Sequence, residues 1–288
     1  MHVFVTGATG WVGSAVTAEL LAAGHRVTGL ARADAKAAAL AATGAQVLRA
    51  TLDDLAALRA AAAGADAVVH TAFNHDFSKF AENAEQDRRA IEALGDALAG
   101  SGRPLLVTSG LLGLPRGASE ADVPATAGPR KSQAAALALA ERGARAATVR
   151  LAPSVHGPGD YGFVPLLARL ARETGVSAYL GEGANCWSGV HRQDAARVYR
   201  LALEQGATEP AYHAVADEAV PFKAIAEAIG RHLGLPVQSR EREHFGWFAM
   251  MAGADMAASS ARTRESLGWQ PRGPGLLADL ELPEYYAR

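Results

Sequence analysis

The sequence predicts an α/β protein built on a doubly wound parallel sheet. Three observations carry this. Short apolar runs alternate with longer alanine- and leucine-rich stretches through the first half of the chain, the pattern of repeated βαβ units. The short runs are apolar throughout, as strands covered on both faces are. The first of them leads straight into a glycine-rich turn, TGATGWVG, that opens a helical stretch.

Taken in order, strands are expected at His2–Thr6, Arg26–Leu30, Ala45–Arg49, Ala65–His70, Pro104–Thr108 and Ala146–Arg150. Between them, helices are expected at about 11–23, 34–43, 53–63, 79–100 and 129–143. After residue 150 the rhythm changes. LAPSVHGPGDYGF crowds prolines and glycines together and reads as a loop. Helices follow at 163–174 and 192–206, a strand at Tyr212–Val215, a helix at Pro221–Leu233, and mixed short elements over 235–288. The expected division is a sheet domain of residues 1–152 plus about 190–234. A small C-terminal substrate lobe would come from about 153–189 and 235–288.

Composition narrows the function classes. With 288 residues, 49% hydrophobic and 20% charged, the chain suits a soluble globular protein with a large core. A net charge of −2 argues against nucleic acid as the main partner, because counterion release needs a basic face. The N-terminus has no basic lead and glycines interrupt its apolar residues, so it does not read as a signal peptide. No apolar run approaches the length of a membrane span, and the cytoplasm is the expected location. The single cysteine, Cys186, cannot form an internal disulfide, and no motif around it marks a catalytic thiol. No metal is expected.

The turn places Gly7, Gly10 and Gly13 between a strand and a helix, the context that distinguishes a dinucleotide site from a chance match. Gly7 permits the tight turn, Gly10 lets backbone N–H groups approach a pyrophosphate, and Gly13 allows close helix–strand packing. The helix N-terminus then presents free donors to the phosphates. Thr9, Trp11 and Val12 belong to the same candidate cofactor loop.

Together with VVHTAF at Val68–Phe73, LLVTSG at Leu105–Gly110 and VRLAPSVHGPGD at Val149–Asp160, the G-x-x-G-x-x-G spacing resembles the short-chain dehydrogenase/reductase superfamily, in its extended and atypical branches. SGVHRQDAARVYRLALE (188–204), YHAVADEAVPFKAIAEAIG (212–230) and RTRESLGWQPR (262–272) extend the resemblance over nearly the whole chain. It implies a Rossmann-type sheet with a C-terminal substrate lobe, an NAD(P)-dependent oxidoreductase or an epimerase/dehydratase-like enzyme, and a homodimer.

At the end of the second expected strand stands Arg32, with no acid at that place. An acid there would bind the ribose 2′-hydroxyl and an arginine a 2′-phosphate. NADP(H) is therefore the preferred cofactor, with NAD(H) as the second option, against Arg32 as a plain exposed strand end. Asp34 lies just past the strand, where helix capping is its natural job. The resemblance puts the end of the third strand near adenine, at Thr51 or Leu52 with Asp53 just beyond, Asp53 either contacting adenine or capping the next helix, and puts Thr71, Ala72 and Phe73 beside the nicotinamide ribose.

The resemblance also implies a strand-five hydroxyl that polarises the substrate carbonyl, here Ser109 or Thr108, and a Tyr-x-x-x-Lys pair. The pair is absent. The lysine place falls at Lys131 or Gln133, and the tyrosine place at Ala127 or Pro129. The first tyrosine of the chain is Tyr161. A different group within reach of the reacting oxygen is then needed. The candidates are His75, beside Asp76 after the fourth strand, and His156, with Tyr161 in the same loop, since imidazole titrates near neutrality. Each is otherwise a plain polar loop residue. Lys131 either contacts the ribose or is a solvated helix residue. His70 is expected to hydrogen-bond within the fold, and His191 and Asp194 to orient a helix start. Phe73, Phe77, Phe80, Phe163, Trp187, Phe245 and Trp247 supply aromatic surface for core or for an apolar substrate pocket. The leading expectation is an NADP(H)-dependent oxidoreductase acting on a small organic carbonyl or alcohol with a non-standard proton donor. The alternatives are a nucleotide-binding redox sensor without turnover and an NAD-dependent epimerase or dehydratase.

Overall fold

The computed structural model describes residues 1–124 and 130–286. Its centre is a seven-stranded parallel sheet formed by β1 (His2–Thr6), β2 (Arg26–Ala31), β3 (Gln46–Arg49), β4 (Ala67–His70), β5 (Leu105–Gly110), β6 (Ala146–Leu151) and, after three further strands, β10 (Ala211–Ala214). The spatial order is β10-β6-β5-β4-β1-β2-β3. The order reverses between β1 and β4, and the crevice outside the carboxyl ends of those two strands is where a ligand sits in such sheets.

Helices cover both faces. α1 (Trp11–Ala22), α2 (Asp34–Ala41), α3 (Leu55–Ala63), α4 (Phe80–Leu98) and α5 (Ser132–Glu141) follow the first five strands, and α7 (Arg192–Glu204) comes back later in the chain. α7 packs on α1, while α3, α4 and α5 pack side by side. Alternate strand residues feed these two layers, because successive side chains point to opposite faces. Leu105 and Val107 join the core under α3–α5, and Leu106 joins the larger core under α1 and α7.

The loop expected at 151–163 contains a short strand, β7 (Ser154–His156), before α6 (Phe163–Thr174). β8 (Ser177–Leu180), β9 (Cys186–His191), β11 (Asp217–Pro221) and β12 (Val237–Arg240) complete the strands. They form two small sheets, ordered β11-β9-β7 and β12-β8. These strands are short and pair with distant segments, so no local alternation announced them. α8 (Phe222–Leu233), α9 (Ala249–Gly253), α10 (Ala261–Leu267) and α11 (Leu276–Asp279) finish the fold.

His191 caps α7, its Nδ1 accepting from Gln193 N at 3.4 Å. Asp194, buried, accepts from the backbone N–H groups of Arg272 and Gly273 at 2.9 and 2.7 Å. Asp34 is not the cap of α2. Ala33 holds that position, and Asp34 lies in the first turn, paired with Arg49 at 2.6 Å. No helix among the described residues is long and apolar enough to cross a membrane.

Candidate cofactor and substrate site

Gly7 has φ +68°, a conformation that glycine alone adopts freely. A Cβ there would lie 2.6 Å from the Ala72 backbone nitrogen and 2.7 Å from Thr71 Oγ1. The turn after β1 is thus pressed against the segment leaving β4, and Thr71 Oγ1 donates to the Thr6 carbonyl at 2.7 Å. Gly10 is the N-cap of α1, and no side chain caps the helix. The first N–H groups of α1 are left for a ligand, and an anion at a helix N-terminus satisfies them and meets the positive end of the helix dipole. Trp11 donates from its indole to the Val155 carbonyl at 2.6 Å. The Arg192 guanidinium lies 4.2 Å from the Trp11 ring centroid, and Tyr161 meets that ring edge-on.

Arg32 is exposed past the end of β2, and its side chain has no partner among the described residues. The nearby acid, Asp34, is held by Arg49. Asp53 does not cap α3, whose cap is Asp54. Its carboxylate accepts from Gln86 at 2.6 Å and pairs with Arg89 at 3.4 Å.

At the end of β5 the two hydroxyls diverge. Thr108 Oγ1 and Tyr199 Oη are 2.7 Å apart, so Thr108 is committed to the α7 layer. Ser109 faces the opposite layer, is buried, and makes no side-chain hydrogen bond among the described residues.

On the Ser109 side runs a buried polar chain. Thr6 Oγ1 lies 2.8 Å from His70 Nδ1, and His70 Nε2 lies 2.8 Å from Asp87 Oδ1. The carboxylate fixes the tautomer: Nε2–H donates to Asp87 and Nδ1 accepts from Thr6. Ser132 Oγ donates to the other Asp87 oxygen at 2.5 Å and accepts from Arg130 Nε at 2.9 Å. Arg130 also donates to the Thr108 carbonyl at 3.3 Å, and its guanidinium carbon stands 4.4 Å from the Phe73 ring centroid.

His75 is exposed beyond Phe73, with ring centroids 5.4 Å apart. Partial burial, and then the Arg130 charge, hold its pKa below the ordinary imidazole value. Phe77 and Trp247 stack at 4.9 Å and carry the aromatic wall on to the C-terminal segment. Phe163, Trp187 and Phe245 instead pack among themselves and with Phe222 and Phe248, inside the core.

The other candidates lie apart from this group. Lys131 is exposed and pairs with Glu85 on α4 at 2.7 Å, an ion pair that with Arg88 draws the Glu85 carboxyl down to about 2. Gln133 is buried and accepts from Arg150 at 3.1 Å. His156 is fully buried, its Nδ1 2.6 Å from Asp279 Oδ2 and its Nε2 3.9 Å from Asp217 Oδ2, with no hydrogen-bond partner for Nε2 among the described residues. Cys186 is buried, which pushes its thiol up. Ala127 and Pro129, the two tyrosine places, lie outside the described residues. Sequence reasoning gave no role to Arg130, Asp87, Ser132 or Tyr199. The usable signal for Arg130 was its position, one residue after Pro129.

The family model described as NAD(P)H-binding matches residues 7–153. The chain is 44% identical to an uncharacterized protein of Schizosaccharomyces pombe over 295 residues, covering 99% of this chain and 100% of that one. It is 42% identical to an uncharacterized protein of Saccharomyces cerevisiae, covering 97% and 98%. It is also 30% identical to the 4-hydroxy-2-methyl-3-oxo-4-farnesyl-3,4-dihydroquinoline-1-oxide ketoreductase of Stigmatella aurantiaca over 226 residues, which is 72% of this chain and 65% of that one. Among solved structures, a double mutant of the dTDP-glucose 4,6-dehydratase DesIV of Streptomyces venezuelae, with NAD bound, matches with a TM-score of 0.78 at 20% identity, over 99% of this chain and 96% of that one. UDP-glucose 4-epimerase of Thermus thermophilus, in complex with NAD, matches with a TM-score of 0.74 at 20% identity, over 99% and 98%. At these identities the two structures share the fold.

Proposed function

This chain belongs to the NAD(P)H-binding family, and on that premise we propose that it is an NADP(H)-dependent oxidoreductase acting on a small carbonyl or alcohol substrate. The observation that carries the reading is the uncapped N-terminus of α1 beneath a turn that only glycine fits at Gly7 and Gly13. The residues present suit a dinucleotide. The backbone N–H groups of Trp11, Val12 and Gly13 would hold the pyrophosphate, Arg32 the 2′-phosphate, and Thr71 to Phe73 would line the nicotinamide side. When bound, the nicotinamide supplies or accepts a hydride.

The chain's own residues divide the remaining work. Ser109, with an uncommitted hydroxyl, orients the substrate oxygen. Partial burial and then the Arg130 charge hold the His75 pKa down, which weakens its imidazole as a base. The carbonyl-reducing relative from Stigmatella aurantiaca, named for a ketoreductase activity, supports the carbonyl side of the reading. Titration of the protein with NADPH and NADH, followed by nucleotide fluorescence, tests the premise. Binding of neither would sink it. Binding of NADPH with no consumption across a panel of ketones, aldehydes and oxo acids would favour a sensor.

A further inference from the structure

Arg130 is a half-buried cation that forms no ion pair with an acid among the described residues. Its known bonds are to one hydroxyl, Ser132 Oγ, and one carbonyl, that of Thr108. No described carboxylate forms an ion pair with it, and residues 125–129 read ATAGP, which has no acid to offer. Asp87 lies on the far side of Ser132, one hydroxyl away. Burial pushes the guanidinium below its usual value, with Asp87 and Tyr199 pulling the other way. A guanidinium nevertheless stays charged in proteins.

The geometry leaves the guanidinium part free. One face stacks on Phe73, one edge is fixed by Ser132 and Thr108, and its remaining N–H groups have no partner among the described residues. A planar fork held in this way suits a carboxylate, which takes two parallel N–H donors. From Phe73 the aromatic wall runs through His75 and Phe77 to Trp247. Trp247 is 61% exposed and Phe77 40% exposed, so the wall opens to solvent.

We propose that Arg130 is the anion anchor of the substrate site, and that the substrate is an organic carboxylate whose apolar body lies along Phe73, Phe77 and Trp247. This deepens the oxidoreductase reading and rests on it for the reaction, though not for the binding. Because a guanidinium at neutral pH holds an anion without giving up its proton, Arg130 selects and positions the substrate and leaves proton transfer to other groups.

The test uses the full-length protein saturated with NADP+, and benzoate and benzamide as probes of equal shape and different charge. Quenching of Trp247 fluorescence reports binding, with Trp247→Phe as the control that identifies the signal. Benzoate should bind at least about tenfold more tightly than benzamide, a difference of about 1.4 kcal/mol. Arg130→Gln should erase that preference while NADPH binding and thermal midpoint stay near wild type. Arg130→Lys should keep part of it, since a lysine retains the charge and loses the fork. Equal binding of the two probes by the wild type would overturn the proposal, as would an unchanged preference in Arg130→Gln. If Arg130→Gln fails to fold, the wild-type comparison and Arg130→Lys still decide. A preference for benzoate in a protein that binds no NADPH would sink the cofactor reading and keep the anchor.

Discussion

A Cβ added at Gly13 would lie 2.1 Å from the Gly7 carbonyl oxygen. No side chain relaxes to relieve that contact, because the obstacle is backbone in the adjoining turn. Gly13→Ala should therefore force α1 away from β1. Overpacking of this kind costs about 1–3 kcal/mol, and here it also spoils the cradle for the pyrophosphate. Thermal unfolding should show a lower midpoint, and nucleotide fluorescence should show NADPH binding reduced at least about tenfold. Undiminished binding would mean that the pyrophosphate does not sit on this turn.

Arg32 is the proposed partner of the 2′-phosphate, so its replacement tests the cofactor preference. Arg32→Asp replaces a partner of the 2′-phosphate by a charge that repels it. NADPH affinity should fall at least about tenfold, while NADH affinity holds or improves. Parallel titrations check this, and equal losses for both nucleotides would remove Arg32 from the site.

The two hydroxyls at the end of β5 should separate by effect. Ser109→Ala should lower kcat/KM about tenfold or more on any substrate turned over, with little change in stability. Thr108→Val should do the reverse. It strips Tyr199 of its partner inside the core and costs about 1–3 kcal/mol, read as a lower thermal midpoint at nearly unchanged kcat/KM per folded molecule.

His213 supplies a pH dependence of stability. It is fully buried, with Nε2 3.0 Å from Arg150 and Nδ1 2.7 Å from the Ser259 carbonyl. Nε2 accepts and Nδ1–H donates, so the native ring is neutral. Burial leads the causes that lower its pKa. Arg150 adds to it, while the Ser259 carbonyl and the Glu120 and Asp122 charges oppose it. A depressed histidine binds its proton more readily in the unfolded chain, so stability falls as pH drops below the ordinary value of 6.5. Thermal midpoints measured between about pH 7.5 and about pH 5 should decline on the acid side. His213→Gln should flatten part of that slope. A midpoint that rises on acidification in the wild type but not in the variant would contradict the assignment.

The parts of this molecule that were legible in the sequence are those that local rules specify. Strands such as His2–Thr6 were readable because they are buried on both faces, and the loop Gly7–Gly13 because three glycines at fixed spacing answer one steric problem. β9 was not readable in the same way. Its six residues are all buried, yet it pairs with β7 and β11, which lie far off in the chain, and its neighbours decide its conformation. The site divides likewise. The place of Ser109 near the end of β5 was legible in the strand pattern. Its advantage over Thr108 depends on Tyr199, 91 residues away. Arg130 reads as one more polar residue before a helix until Phe73, Ser132 and Thr108 close around it. His156 reads as a loop histidine until Asp279 meets it in the interior.

That last pairing bears on how the protein is made. His156 draws its partner from Asp279, 123 residues later, and Asp160 donates nothing but accepts from Tyr285, 125 residues later. A ribosome adding about 5–20 residues per second releases the loop after β6 several seconds before either partner exists. Through that interval an imidazole and a carboxylate destined for the interior must stay hydrated. The strands β1 to β6 wait only for α7, which packs on α1, whereas the region around β7 waits for translation to reach Asp279 and Tyr285. Slow codons or a stalled ribosome between residues 160 and 279 would then prolong a half-built state with its interior open, the state in which a chaperone would find this protein.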